Sequence, residues 1–263
     1  MARAKRHYIP GQIWHLTHRC HKGDFLLKFA KDRRRLIQWL FEAKRRYKLV
    51  ILNYTVTSNH IHLLVLDDGD RDTIPRSIQL VAGRIGQEFN ERKKRKGAFW
   101  EDRYHATAVE SGDHLARCMV YIDTNMFRTG VVSHPAMLSF SGYNEIQEPR
   151  KKNLLIDYSR LQGLIGAGSY KQLKTSHRGW VEDYLRETVK DRQDEWTGAI
   201  AVGNRSFIDK VKALLGFRAK GRKVEGVENR YQLREGLALY NALFEAEKGD
   251  IGHENTYLWN INH

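Results

Sequence analysis

The chain has 263 residues, enough for one sizeable core and a smaller second unit, and its 45 Lys and Arg outweigh 31 Asp and Glu for a net charge of +14. Two cysteines, Cys20 and Cys118, exclude a disulfide framework or a cysteine-rich zinc site, and no run of about 18 apolar residues is present to span a bilayer. Met1-Ala2-Arg3-Ala4-Lys5-Arg6 leads into no apolar stretch of the export type, so a cytoplasmic, nucleoid-associated protein is expected.

The charge is uneven. Residues 1–150 hold 26 basic and 16 acidic side chains, and the remainder holds 19 and 15. A field concentrated in this way attracts polyanions, nucleic acid foremost, because each neutralised phosphate releases counterions. A basic surface serving solubility alone is the competing explanation.

Taken in order, residues 12–19 alternate as a strand, with Ile13, His15, Thr17 and Arg19 on one face and Trp14, Leu16 and His18 on the other. His15, His18 and His21 are spaced three apart, which on a strand puts His15 and His18 on opposite faces. They read as structural or DNA-facing. Residues 31–48 form a helix whose stripe is Leu36, Ile37, Leu40, Phe41 and Ala43, with basic residues on its outer face. A strand over residues 49–57 follows, and Ser58-Asn59 turns it back into a hairpin.

The returning strand, His60-Ile61-His62-Leu63-Leu64-Val65-Leu66, is apolar and β-branched apart from two imidazoles. Strand alternation places His60 and His62 on one side with Cα atoms roughly 6 to 7 Å apart, a spacing that suits one shared metal ion. A lone histidine at a strand end is most often a hydrogen-bonded edge residue. A pair beside an uninterrupted apolar segment needs partners for its desolvated nitrogens, which a cation supplies. A third ligand must then come from elsewhere.

Residues 74–95 give a second helix through Ile74, Ile78, Val81, Ile85 and Phe89, ending in Arg92-Lys93-Lys94-Arg95-Lys96-Gly97. Such a run followed by Phe99 and Trp100 suits a phosphate-gripping loop, and equally a solvated helix C-terminus favoured by the macrodipole. Residues 99–110 read as a strand bearing Arg103, Tyr104 and His105. A helix over residues 112–129 follows, its buried stripe running through Leu115, Cys118 or Met119, Ile122 and Met126. Tyr121 and Asn125 lie one turn apart at the border of that stripe and stack together. An amphipathic core-edge tyrosine is the plain reading of Tyr121 alone.

Pro149-Arg150-Lys151-Lys152-Asn153 reads as a boundary, dividing the chain into 1–150 and a mostly helical extension, 151–263. Helices are expected over residues 170–174, 180–190 and 207–215, the last with Ser206 as N-cap and Gly216 as stop. The extension either grips a DNA hairpin or packs over the sheet. Gly163-Leu164-Ile165-Gly166-Ala167-Gly168 follows no clear strand and has the wrong glycine spacing for a nucleotide fingerprint.

Taken together, His60-Ile61-His62 resembles the His-hydrophobic-His motif of the HUH single-tyrosine transposases, and the segment from Tyr121 through Asn125 to Gly130 resembles their tyrosine helix. Pro10-Gly11, His15, Thr17-His18-Arg19 and Asn59 resemble most closely the REP-associated tyrosine transposases, over residues 3–150. Asp123-Thr124 and Met126 depart from the usual pattern of relatives. The resemblance implies an α+β fold, a ferredoxin-like antiparallel sheet backed by helices. It also implies that His60, His62 and Asn125 hold Mg²⁺ or Mn²⁺ and that Tyr121 is the nucleophile.

The implied chemistry is metal-assisted attack of Tyr121 on a phosphodiester of single-stranded or hairpin DNA, giving a 5′-phosphotyrosine and a free 3′-hydroxyl. Rejoining then needs no ATP, in keeping with the absence of a phosphate-binding P-loop sequence. No dedicated base for the phenol is evident, and monomer and homodimer stay equally open. Arg6, Arg19, Lys94, Arg95, Trp100 and Arg103 are the candidates for tracking the DNA backbone and stacking bases. The rivals are a non-catalytic nucleic-acid-binding protein on the same fold and a nuclease using metal-activated water.

Overall fold

Apolar alternation and helical stripes carry the chain through β1 (Ile13–Arg19), α1 (Ala30–Tyr47), β2 (Val50–Val56), β3 (His60–Leu66), α2 (Thr73–Arg92) and β4 (His105–Val109). The structure is a computed structural model that describes residues 8–149, 152, 154–187, 193–227 and 230–234. The four strands pair antiparallel in the order β2-β3-β1-β4, the ferredoxin-like arrangement expected of a β-α-β-β-α-β chain. The β2–β3 hairpin closes at Thr57, whose backbone N–H donates to the His60 carbonyl at 3.0 Å while its hydroxyl oxygen accepts from the His60 N–H at 3.1 Å.

Helices α1 and α2 pack against each other, and Ile74 of α2 meets the β1 face that carries Trp14 and Leu16. The opposite face carries His15 and Thr17 of β1 and His60 and His62 of β3. It is covered by α3 (Asp113–Asp123), continued as α4 (Asn125–Arg128). A single helix was expected here. It breaks at Thr124 (φ −86°, ψ 4°), where the Val120 carbonyl accepts from both the Thr124 N–H at 2.9 Å and the Thr124 hydroxyl at 2.7 Å, the back-bonding that bends helices. The break leaves Tyr121 in the last turn of α3 and Asn125 at the start of α4.

The expected strand over residues 99–110 begins only at His105. Phe99 turns its ring against Phe89 and Trp100 donates its indole N–H to the Ala82 carbonyl at 3.0 Å, so these aromatics serve α2 rather than a strand pattern. After α5 (Gly142–Gln147), the extension contributes α6 (Tyr158–Ile165), α7 (Tyr170–Arg186), α8 (Glu195–Gly198) and α9 (Arg205–Leu215). Helix α7 runs unbroken where two helices were expected. Helix α9 is capped by Asn204, whose side chain accepts from the Phe207 N–H at 2.8 Å, rather than by Ser206, and Gly216 ends it at φ 54°.

The extension also holds strands that its composition did not announce: β5 (Ala201–Gly203), β6 (Lys223–Val227) and β7 (Arg230–Arg234). Strand β5 pairs parallel to β4, carrying the sheet on to the order β2-β3-β1-β4-β5-β7-β6. The boundary expected near residue 150 falls on positions 150, 151 and 153, outside the described residues. Leu161, Leu173, Trp196 and Ile208 of the extension belong to the same buried cluster as Leu16 and Leu64. Among the described residues no helix is long and apolar enough to cross a membrane.

Candidate active site

Register delivers the imidazoles to one place. His62 pairs with Thr17 of β1 and His60 with Arg19, so the even positions of β3 and the odd positions of β1 share the face under α3. The helix break then brings Asn125 down between them: its Oδ1 lies 3.2 Å from His60 Nε2 and its Nδ2 lies 3.1 Å from His62 Nε2. The Tyr121 ring stands edge-on to His62 and to His15, with centroids 5.8 and 5.9 Å away. The four residues singled out from the sequence as nucleophile and ligands therefore meet.

The hydrogen bonds behind His60 fix its tautomer. Its Nδ1 lies 2.7 Å from Asn59 Oδ1 and 3.0 Å from Thr57 Oγ1. The Thr57 hydroxyl proton is directed to the His60 carbonyl at 2.9 Å, so the hydroxyl oxygen accepts. Nδ1 carries the ring proton, and Nε2 turns a lone pair on Asn125 Oδ1. Two acceptors at 3.2 Å repel unless something electron-poor sits between them.

A divalent cation satisfies that need. Ligands about 2.1 Å from an octahedral ion lie about 3 Å apart along each edge, close to the 3.2 Å between His60 Nε2 and Asn125 Oδ1. Two imidazole nitrogens and an amide oxygen suit Mn²⁺ well and Mg²⁺ less so. Among the described residues no group of three His, Cys, Asp or Glu could hold a metal ion, and a cation here would need the Asn125 amide oxygen beside His60 and His62.

Burial keeps the imidazoles neutral, as ligands must be. Desolvation pushes His60 and His15 down to about 4, with Arg19 adding to the effect at His60 and with His105 and Arg128 adding to it at His15. His62 is driven well below its ordinary value by burial first, then by His60, His15 and Arg128.

Arg128 was not expected. Its guanidinium carbon stands 4.0 Å from the centre of the Tyr121 ring, and its Nη1 donates to the Tyr121 carbonyl and to Thr124 Oγ1, each at 2.9 Å. Trp196 of α8 borders the same ring at 6.2 Å, and Tyr121 is only 6% exposed. Nothing local in the sequence marks Trp196, which lies 75 positions further along the chain.

A buried brace holds the tyrosine helix from behind. Asp123 Oδ2 accepts from His177 Nε2 of α7 at 2.7 Å, and Asp123 Oδ1 accepts from the Asn53 carboxamide of β2 at 3.1 Å. Gln147 Nε2 lies 3.1 Å from His177 Nδ1, so both ring nitrogens of His177 have partners.

The candidate DNA contacts are spread. Arg19 is exposed beside His60 and pairs loosely with Glu101 at 3.7 Å. Lys94 and Arg103 are exposed. Arg95 folds back on its own loop, donating to Asn90 Oδ1 and the Ala98 carbonyl. Trp100 is half-buried, its ring stacked on His18 at 4.1 Å. Arg6 lies outside the described residues.

Fold and side chains define an α+β protein whose central sheet face presents paired imidazoles to a tyrosine and a carboxamide. Residues 12–125 are similar to the family described as IS200-like transposase. Two solved structures are similar in part. One is a REP-associated tyrosine transposase bound to a REP hairpin, 20% identical, with a TM-score of 0.45 over 60% of this chain and 96% of the other. The second is a candidate transposase from Deinococcus radiodurans R1, 14% identical, with a TM-score of 0.33 over 49% and 97%. No curated protein matches the chain.

Proposed function

We propose that this chain cleaves and rejoins single-stranded DNA, at hairpin-forming repeats, with Tyr121 as nucleophile and His60, His62 and Asn125 as the ligands of Mg²⁺ or Mn²⁺. The observation that carries the reading is the convergence of two imidazole Nε2 atoms and one amide on a single point beside the Tyr121 ring. The similarity of residues 12–125 to a transposase family supports it.

When bound, the cation would neutralise charge that builds on the scissile phosphate. The chain's own residues do the rest. Tyr121 oxygen bonds to phosphorus as the bond from phosphorus to the 3′ oxygen breaks, and that oxygen leaves as a hydroxyl after taking up a proton. One phosphodiester is exchanged for another, so the reverse step needs no external energy source. The Arg128 guanidinium over the ring would stabilise negative charge developing on the phenol oxygen as it attacks. Tyr121 is caged by His15, His62, Arg128 and Trp196, so attack requires its ring to swing out toward the substrate.

The test is a labelled single-stranded hairpin DNA incubated with the full chain and Mn²⁺, then run on a denaturing gel. A covalent adduct is expected with the wild type and none with Tyr121→Phe, which should still bind DNA. An adduct undiminished in Tyr121→Phe eliminates the nucleophile. Cleavage without any adduct indicates water as attacking group, and binding without cleavage indicates a non-catalytic protein.

A further inference from the structure

His62 does not face Asn125 alone. Behind it runs a chain of buried contacts: His62 Nδ1 lies 2.8 Å from His15 Nε2, and His15 Nδ1 lies 2.8 Å from the backbone carbonyl of Trp196. His15 is fully buried, its ring stacked 5.0 Å from that of His62 with 17° between their planes. The Thr17 hydroxyl, 3.4 Å from His62 Nδ1, is the weaker contact.

The polarity of this chain has one solution. A carbonyl oxygen only accepts, so the His15 ring proton sits on Nδ1. His15 Nε2 is then a bare acceptor, and the proton of His62 must sit on Nδ1 to meet it. His62 Nε2 is left with a lone pair aimed at Asn125. Because His60 Nε2 also presents a lone pair, turning the Asn125 amide over only moves the conflict from one ring to the other. Both rings are set as acceptors at once, the condition for binding one cation.

We infer that His15 is a positioning residue that holds His62 in its metal-binding tautomer and orientation, under the direction of the Trp196 carbonyl, and that the C-terminal extension is thereby part of the site. This inference rests on the metal reading proposed above. The carbonyl is well anchored: Trp196 is 2% exposed and its Nε1 donates to Gln193 Oε1 at 3.0 Å. Trp196 lies well beyond residues 12–125, so the segment that matches the family does not contain everything that sets its own ligands. A backbone carbonyl is indifferent to the side chain that bears it, which leaves its role without a mark in the sequence.

Two measurements on the full chain without DNA test the inference. Mn²⁺ binding followed by electron paramagnetic resonance should weaken about ten- to a hundredfold in His15→Phe, which keeps a flat ring but has no acceptor. In His15→Gln, whose oxygen accepts from His62 and whose amide donates to Trp196, affinity should stay within about threefold of wild type. Nitrogen NMR of ¹⁵N-histidine-labelled protein should show the His62 proton on Nδ1 in wild type and in His15→Gln, and divided between both nitrogens in His15→Phe. Unchanged Mn²⁺ affinity in a folded His15→Phe overturns the inference. So does a His62 proton found on Nε2 in wild type, a reading that stands even if His15→Phe does not fold. If wild type binds no Mn²⁺, the metal reading fails while the tautomer spectra still decide the role of His15.

Discussion

Buried neutral histidines make this fold sensitive to acid, and the size of the effect follows from His15. Its folded value lies at about 4 through desolvation, against an ordinary 6.5. Above the ordinary value both folded and unfolded chains hold the ring neutral and nothing is lost. As pH falls through that value the unfolded chain takes up a proton that the folded chain refuses, so stability declines until the folded value is reached. At about pH 5 this single group costs about 2 kcal/mol, a large share of the ~5–15 kcal/mol typical of a domain. His60 and His62 are shifted in the same direction and steepen the decline. Urea unfolding in the presence of chelator, at about pH 7 and about pH 5, measures the loss. His15→Gln keeps both hydrogen bonds and removes the titration, so its loss between the two conditions should be smaller by about 2 kcal/mol. Equal losses in wild type and His15→Gln, or a His15 that titrates near its ordinary value, would refute the reasoning.

Three further outcomes are expected. Asp123→Ala strips the acceptor from His177 and from Asn53, two fully buried donors, and should cost about 3 to 5 kcal/mol in urea unfolding; a cost under about 1 kcal/mol would show the brace to be idle. Gly142→Ala would drive a methyl into the Asn53 carboxamide and should lower stability by about 1 to 3 kcal/mol, whereas a neutral result would mean that the close approach of α5 to β2 relaxes freely. Arg128→Met removes the cation from the Tyr121 ring and should slow adduct formation about tenfold, with Arg128→Lys in between; an unchanged rate would reduce Arg128 to a helix-end contact.

Much of the site was legible from local pattern. Period-two alternation put His60 and His62 on one face, whereas the unbroken helix expected to stack Tyr121 on Asn125 is divided at Thr124. The ferredoxin-like order of β1 to β4 also agrees with the alternation and helical stripes read along the chain. What escaped was what depended on distant partners. The aromatics Phe99 and Trp100 look like strand residues until α2 is seen to take them. The helix looks continuous until the Thr124 hydroxyl is seen to share the Val120 carbonyl with its own N–H. Short strands such as β5 carry too few residues to show a period of their own and exist because β4 offers them an edge.

By itself the sequence determined which side chains are available for chemistry and on which side of each element they stand, because both follow from backbone periods of 2.0 and 3.6 residues. His60 takes its tautomer from its sequence neighbours Thr57 and Asn59, but only the tertiary structure decided which nitrogen of His15 and His62 holds its proton. That choice belongs to a carbonyl 181 positions from His15, whose identity as an acceptor comes from the backbone and whose position comes from the packing of Trp196.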